Sequence, residues 1–93
     1  MTYTKLDYTG YENQLEKSGE YLNGYYWSFM FPNGYGASVI KHDGSYGHQD
    51  DLFELAVLKD GEGLCYDTPI TSDVIGWLDN QEVLDLLNKI SEL

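Results

Sequence analysis

Apolar and polar positions alternate with a period of two through the middle of the chain and shift to a period of 3.6 near its end. The stretch Tyr25-Tyr26-Trp27-Ser28-Phe29-Met30-Phe31 puts Tyr25, Trp27, Phe29 and Phe31 on one face of a strand. That row is wide, stiff and apolar, which predicts packing against a helix. Residues 35–41 predict a second strand, with Ala37 and Val39 on one side and Ser38 and Ile40 on the other. Residues 52–58 form the most apolar run, with Phe53, Leu55 and Val57 on one side and only Glu54 interrupting the other, and predict a central strand. Asn23-Gly24, Asn33-Gly34, Asp43-Gly44 and Asp60-Gly61 punctuate these runs and predict hairpins, the first as a two-residue turn. Pro32 ends the aromatic strand because it brings no N–H to a ladder. The Asp60-Gly61 turn leads into Leu64-Cys65-Tyr66, and Asp67-Thr68-Pro69 stops the sheet.

Helical signals flank this region. Residues 2–6 alternate weakly and suit an edge strand. Thr9 and Glu12 have capping-box spacing, Tyr11 and Leu15 share a face at i, i+4, and Gly19 sits where a left-handed C′ residue would stop the chain, which predicts a helix over 11–18. Thr71 or Ser72 can cap a second short helix with Asp73 in its first turn, Val74 and Leu78 on one face, and Ile75 and Trp77 beside them. Asp79 and Glu82 repeat the cap-to-N3 spacing, followed by Val83, Leu86, Leu87 and Ile90 at i, i+3, i+4, i+7. The expected fold class is α+β: a mostly antiparallel sheet of about four strands, with a short N-terminal helix and one or two C-terminal helices packed on it, in a single domain spanning 1–93.

Composition narrows the function classes. Ninety-three residues support one small core, and 42% hydrophobic with 15% aromatic residues is too apolar for a disordered acidic tail. The 5 cationic residues are all lysine, against 16 Asp and Glu, for a formal charge of −11. Such a charge opposes binding to phosphate backbones and anionic membranes and favours cationic protein grooves. Cys65 is the one cysteine, so no intramolecular disulfide forms and a reducing setting is expected. The N-terminal stretch has neither the basic start nor the apolar run of a signal peptide, and no window nears the roughly 20 apolar residues of a membrane span. A cytoplasmic protein is the expectation.

Candidate chemistry centres on the loop 42–51, where His42, Asp43, His48, Asp50 and Asp51 place two imidazoles and three carboxylates within ten residues. They could hold a divalent metal that activates water, but the spacing matches no metal motif and the glycines make a poorly preformed site; a solvated loop is the simpler reading. His42 and Asp43 as an acid/base pair would diverge at a strand end. Cys65 has no basic neighbour in sequence and reads as a structural thiol. There is no nucleophile elbow and no P-loop, and Gly34-Tyr35-Gly36 is too short for a dinucleotide fingerprint. No catalytic residue, cofactor or metal ligand is assigned.

The carboxylates fall in three series: Asp7, Glu12, Glu16 and Glu20; Asp43, Asp50, Asp51 and Glu54; and Asp60, Glu62 and Asp67. Nine tyrosines exceed what one small core can bury with satisfied hydroxyls, so some reach the surface, where they supply contact area at low entropic cost or simply line a sheet. Carboxylates a few ångströms to a nanometre apart match the charge spacing of a nucleic-acid backbone. The candidate partner-binding residues are Glu12, Glu16, Glu20, Asp43, Tyr46, Asp50, Asp51, Glu54, Asp60 and Glu62.

The run Phe31-Pro32-Asn33-Gly34-Tyr35-Gly36-Ala37-Ser38-Val39-Ile40, then Leu52-Phe53-Glu54-Leu55-Ala56-Val57-Leu58, Asp60-Gly61 and Leu64-Cys65-Tyr66-Asp67-Thr68-Pro69-Ile70, resembles a small uncharacterised family of acidic proteins encoded in phages and prophages. The resemblance covers about residues 27–90, leaves the acidic N-terminal part outside, and carries over no catalytic residue. It implies a context in which small acidic proteins are similar in role to inhibitors of host defence, including anti-CRISPR and anti-restriction proteins that mimic DNA. The leading expectation is a phage-type inhibitor, acting in the bacterial host cytoplasm as a monomer or homodimer. It would bind the basic groove of a host nucleic-acid-binding protein and touch neither nucleic acid nor membrane itself. The alternatives are a phage structural, assembly or self-associating module, and a metal-dependent enzyme using the 42–51 loop.

Overall fold

The computed structural model describes residues 2–65, 68–71 and 73–93. Met1, Tyr66, Asp67 and Ser72 lie outside the described residues, and with them the end of the predicted 64–66 strand, one member of the third acidic series and one of the two candidate caps. The elements are β1 (Leu15–Tyr21), β2 (Gly24–Met30), β3 (Tyr35–Lys41), β4 (Phe53–Lys59), β5 (Gly63–Leu64), β6 (Ile75–Leu78) and α1 (Asn80–Ser91), with 3₁₀ turns at Glu12–Gln14 and His48–Asp50. One antiparallel sheet has the order β1-β2-β3-β4-β5, and β6 pairs with β4 beside β5. No helix among the described residues is long and apolar enough to cross a membrane.

The α+β class stands; among the described residues the antiparallel sheet has six strands rather than about four, and one C-terminal α-helix packs on it. The predicted helix over 11–18 is instead a 3₁₀ turn followed by β1. Gly19 explains the difference: it pairs with Tyr26, whose ring lies over it so closely that an added Cβ would sit 2.8 Å from Tyr26 Oη. An aromatic ring covering a cross-strand glycine stabilises an edge that glycine alone would weaken. The Thr9–Glu12 box does not form; Thr9 donates to Asp7, and Glu12 accepts from the Gly10 N–H. The predicted helix around Asp73 and Leu78 is β6, whose four residues are too few for a 3.6 period to be distinguished from a bulged strand.

The inward row of the sheet is formed by Trp27, Phe29, Ala37, Val39, Phe53, Leu55 and Val57, all buried. Helix α1 covers β3 and β4 with Val83, Leu87 and Ile90. Its start is the predicted capping box: Asp79 accepts from the Glu82 N–H at 2.8 Å, and Glu82 accepts from the Asp79 N–H at 3.0 Å. The aromatic row of β2 is covered by a different element. Residues 2–8 form no strand but run along β2, where Leu6 enters the core, Tyr8 meets Phe29 edge-on and Tyr11 meets Phe31. Asn80 straps this segment to the helix through both its amide groups, accepting from Asp7 N–H and donating to Asp7 C=O.

Turns divide the molecule into two ends. At one end the β2–β3 and β4–β5 turns meet, with the Asp60 N–H donating to the Gly34 carbonyl. Asn33 there donates to the Ile90 and Leu93 carbonyls and caps the helix C-terminus. At the other end the β1–β2 turn meets the 42–52 loop, with the Asp43 N–H donating to the Leu22 carbonyl. The β1–β2 turn is Leu22-Asn23, with φ 46° and 64°, one residue earlier than the Asn23-Gly24 expected. Gly24 is instead the first residue of β2, because a Cβ there would lie 2.0 Å from the Lys41 carbonyl oxygen.

Candidate acidic and aromatic interface

The 42–52 loop is organised by the N-terminal segment. Tyr3, buried in the core margin, donates its hydroxyl proton to Asp43 Oδ1. Its oxygen is left to accept, so His48 Nδ1, 3.1 Å away, carries the proton it shares. Asn23 donates to the other Asp43 oxygen at 2.7 Å, tying the β1–β2 turn to the loop. Two residues of the loop adopt left-handed conformations: Gly47 with φ 93° and Asp51 with φ 58°.

Lys41 is the largest polar side chain in the core, at 1% exposure, and is not among the residues singled out from the sequence. Its Nζ donates to the Thr4 carbonyl at 2.9 Å, pairs with Asp51 Oδ1 at 3.2 Å, and lies 3.7 Å from the Phe53 ring centroid. Asp51 also accepts from the Thr4 N–H at 2.9 Å and from Thr4 Oγ1 at 2.6 Å. One buried cation therefore clamps the N-terminal segment, the loop and β4 together. The only signal available in the sequence was a lysine at the end of an otherwise inward-facing row, on the same side as Ala37 and Val39.

The protonation states follow from these contacts. The hydrogen bond to Asp43 does most to push the Tyr3 phenol up to about 12, followed by burial and the charges of Asp43 and Asp51. Asp43 is held below the usual carboxylate range by the Tyr3 hydrogen bond and then by Asn23. Burial pushes Asp51 upward, but the Thr4 and Lys41 contacts outweigh it and hold it below its ordinary value. Burial pushes Lys41 down, and Asp51 offsets this only in part. The Tyr3 hydroxyl, bonded to Asp43 and His48, ties the N-terminal segment to the loop.

The candidate metal loop does not converge. His42 is buried against Tyr21, with its Nδ1 accepting from the Gly44 N–H at 3.0 Å, while His48 faces Tyr3. Among the described residues no three His, Cys, Asp or Glu side chains group closely enough to hold a metal ion. Cys65 is buried in the core, with its N–H donating to the Val57 carbonyl at 2.8 Å.

The candidate partner-binding residues separate between the two ends. Glu20, Asp43, Tyr46, Asp50, Asp51 and Glu54 lie at or beside the loop end. Asp60 and Glu62 lie in the turn at the opposite end, roughly 20 Å away along seven-residue strands, and Glu12 is on that side as well, next to Tyr11 and Phe31. Glu16 sits between them as the extra residue of a bulge in β1. Three loop-end carboxylates also hold the fold: Asp43, Asp51, and Glu54, which accepts the Tyr46 N–H at 2.9 Å. Glu20 and Asp50 are exposed and accept no hydrogen bond from the described residues.

Sequence reading named Tyr46 among the candidate residues of this end and did not single out Tyr21 or Trp77. Tyr21 is 59% exposed, Tyr46 57% and Trp77 55%. Tyr46 and Trp77 stack with centroids 5.8 Å apart and planes 17° from parallel. The stack depends on two glycines: a Cβ at Gly76 would meet Tyr46 Cβ at 2.6 Å, and one at Gly47 would meet the Trp77 backbone at 2.9 Å. Trp77 itself has φ 55° at the bulge in the β4–β6 pairing, a left-handed conformation that costs an L-residue about 1–2 kcal/mol. The stack returns about 0.5–1.5 kcal/mol beyond the area the two rings bury, which offsets a cost of that size.

Family models, curated proteins and solved structures give no match to this chain, so its functional reading rests on the residues and geometry described above.

Proposed function

We propose that the chain is a non-enzymatic inhibitor of phage type that binds a nucleic-acid-binding protein of host defence, a CRISPR-Cas effector or a restriction complex, through its acidic, aromatic loop end. The observation that carries this reading is the juxtaposition at one end of Glu20, Asp43 and Asp50 with exposed Tyr21, Tyr46 and Trp77. The lysine of that end, Lys41, is buried and spends its charge internally, while Lys5 flanks it over the Tyr25 ring. Carboxylates there would replace phosphates against lysine and arginine, and the aromatics would supply the dry centre of the contact. An interface of about 800 Å² per partner would take about 15% of the 5312 Å² surface, which one end can provide. Residues 20–25, among the described residues, line an open depression of about 380 Å³ within the same end.

Binding is expected to weaken steeply with salt and to be competed by duplex DNA or guide RNA. Affinity that stays flat with salt, or a complex that DNA leaves intact, would refute the mimic. A second reading, a self-associating or assembly module, is favoured by the open edge of β1, a seven-residue strand paired on one side only. Light scattering separates the two: an oligomer insensitive to acid-to-lysine changes supports assembly, and a monomer opposes it.

A further inference from the structure

We propose that the Tyr46–Trp77 stack and the Glu54 carboxylate form a receiving site for an arginine side chain of the partner protein. This rests on the functional reading above and deepens it by naming the anchoring contact. Glu54 lies on β4 between Phe53 and Leu55, the residues that pair with Leu78 and Ile75, and so lies across from the Gly76-Trp77 bulge. Its Oε1 accepts the Tyr46 N–H at 2.9 Å, and its Oε2 accepts no hydrogen bond from the described residues.

Two nearly parallel, half-exposed rings offer flat faces of negative potential, and the carboxylate bonded to the backbone N–H of one of them supplies an acceptor nearby. A planar guanidinium matches both, stacking on the ring while directing N–H groups to the carboxylate; an ammonium is more strongly hydrated and has no plane to stack. The chain's charge of −11 attracts such a group, and its own sequence has no arginine to occupy the site from within. Trp77 supports the assignment. Its left-handed backbone suits glycine, yet a tryptophan is held there in solvent, and tryptophan is among the residues that most often dominate binding energy.

The test titrates the full chain with hexa-arginine and hexalysine peptides at equal ionic strength. The readout is affinity by isothermal titration calorimetry in every variant, with acrylamide quenching of tryptophan emission added where Trp77 is present; Trp27 is 5% exposed, so quenching reports Trp77. Hexa-arginine is expected to bind about fivefold or more tighter than hexalysine and to shield Trp77 from quencher. Trp77→Gly keeps a residue suited to the left-handed backbone and should reduce the arginine affinity to the lysine level without lowering Tm. Glu54→Gln retains the acceptor for Tyr46 and should lose most of the preference. Equal affinities in the unsubstituted chain, quenching of Trp77 unchanged at saturation, or a preference that survives Trp77→Gly would each overturn the arginine site. If both peptides bind equally with steep salt dependence, only this site fails. If neither binds, the acidic-interface reading fails with it.

Discussion

Lys41→Met and Asp51→Asn break the same ion pair, and the structure predicts unequal costs. With methionine at 41 the buried stem is preserved and the ammonium is lost from Thr4 O at 2.9 Å, Asp51 at 3.2 Å and the Phe53 ring at 3.7 Å. What remains can reach water: Thr4 is exposed, and the Asp51 side chain, 41% exposed, keeps both Thr4 hydrogen bonds. No buried charge is orphaned, so the cost is about 0–1.5 kcal/mol. With asparagine at 51 the backbone is unperturbed, since asparagine tolerates φ 58°, but the Lys41 ammonium stays buried without its counter-charge. Breaking a buried pair from that side costs about 3–5 kcal/mol, reduced here to about 2–4 because the amide oxygen can still accept. At roughly 4–8 °C per kcal/mol for a domain of this size, Tm falls by about 8–32 °C for Asp51→Asn and by at most about 12 °C for Lys41→Met. The double variant should be more stable than Asp51→Asn alone. Thermal unfolding followed by circular dichroism at neutral pH, with urea titration as a second measure, reads all three. A Lys41→Met variant as damaged as Asp51→Asn, or a strictly additive double variant, would refute the buried-cation clamp.

Two further outcomes follow from the same braces. Tyr3 has its folded pKa raised from 10.0 to about 12, so the stability it confers is complete below pH 10 and is lost as pH rises from there through about 12. Spectrophotometric titration should show one tyrosine ionising last, together with unfolding, and Tyr3→Phe should remove that step; a last step that persists in Tyr3→Phe would contradict the assignment. At the β2 start, Gly24→Ala drives a methyl to 2.0 Å from the Lys41 carbonyl oxygen and should cost about 2–3 kcal/mol, against about 1 for Gly61→Ala, which meets open space with φ 79°. Equal losses in urea unfolding would mean that the β2–β3 approach is looser than described.

The middle of the fold was legible because buried rows leave a period-two signature. Tyr35 to Lys41 forms β3 with Ala37 and Val39 inward, and the aromatic run forms β2 with Trp27 and Phe29 buried. The last helix was legible because its cap is local, resting on Asp79 and Glu82 alone. β1 was not, because an edge strand with a solvated outer side buries only parts of Leu15 and Gly19 and so lacks the alternation that reveals strands. The Tyr11–Leu15 spacing then resembled a helix face, although Tyr11 in fact packs on Phe31. The candidate site was legible in its residue types and illegible in its division. Sequence separation does not show that the 42–52 loop meets the β1–β2 turn while Asp60 meets Gly34. Trp77 was hidden for a related reason: its exposure follows from a bulge and two glycine contacts made to a loop 30 residues earlier in the chain.

The most direct test of the acidic-interface account is a comparison of two paired charge reversals in the complex with a DNA-competed basic-groove partner. Glu20→Lys with Asp50→Lys alters the loop end at exposed positions whose side chains accept no hydrogen bond from the described residues, and Asp60→Lys with Glu62→Lys alters the opposite end. Affinity measured across a salt series should fall at least about tenfold and lose salt dependence for the loop-end pair, since close interfacial charge pairs are worth about 1.5 kcal/mol or more each. The opposite-end pair should remain within about twofold of the unsubstituted chain, a few tenths of a kcal/mol. Equal losses from both pairs, or a larger loss from Asp60 and Glu62, would contradict the placement of the interface at the loop end.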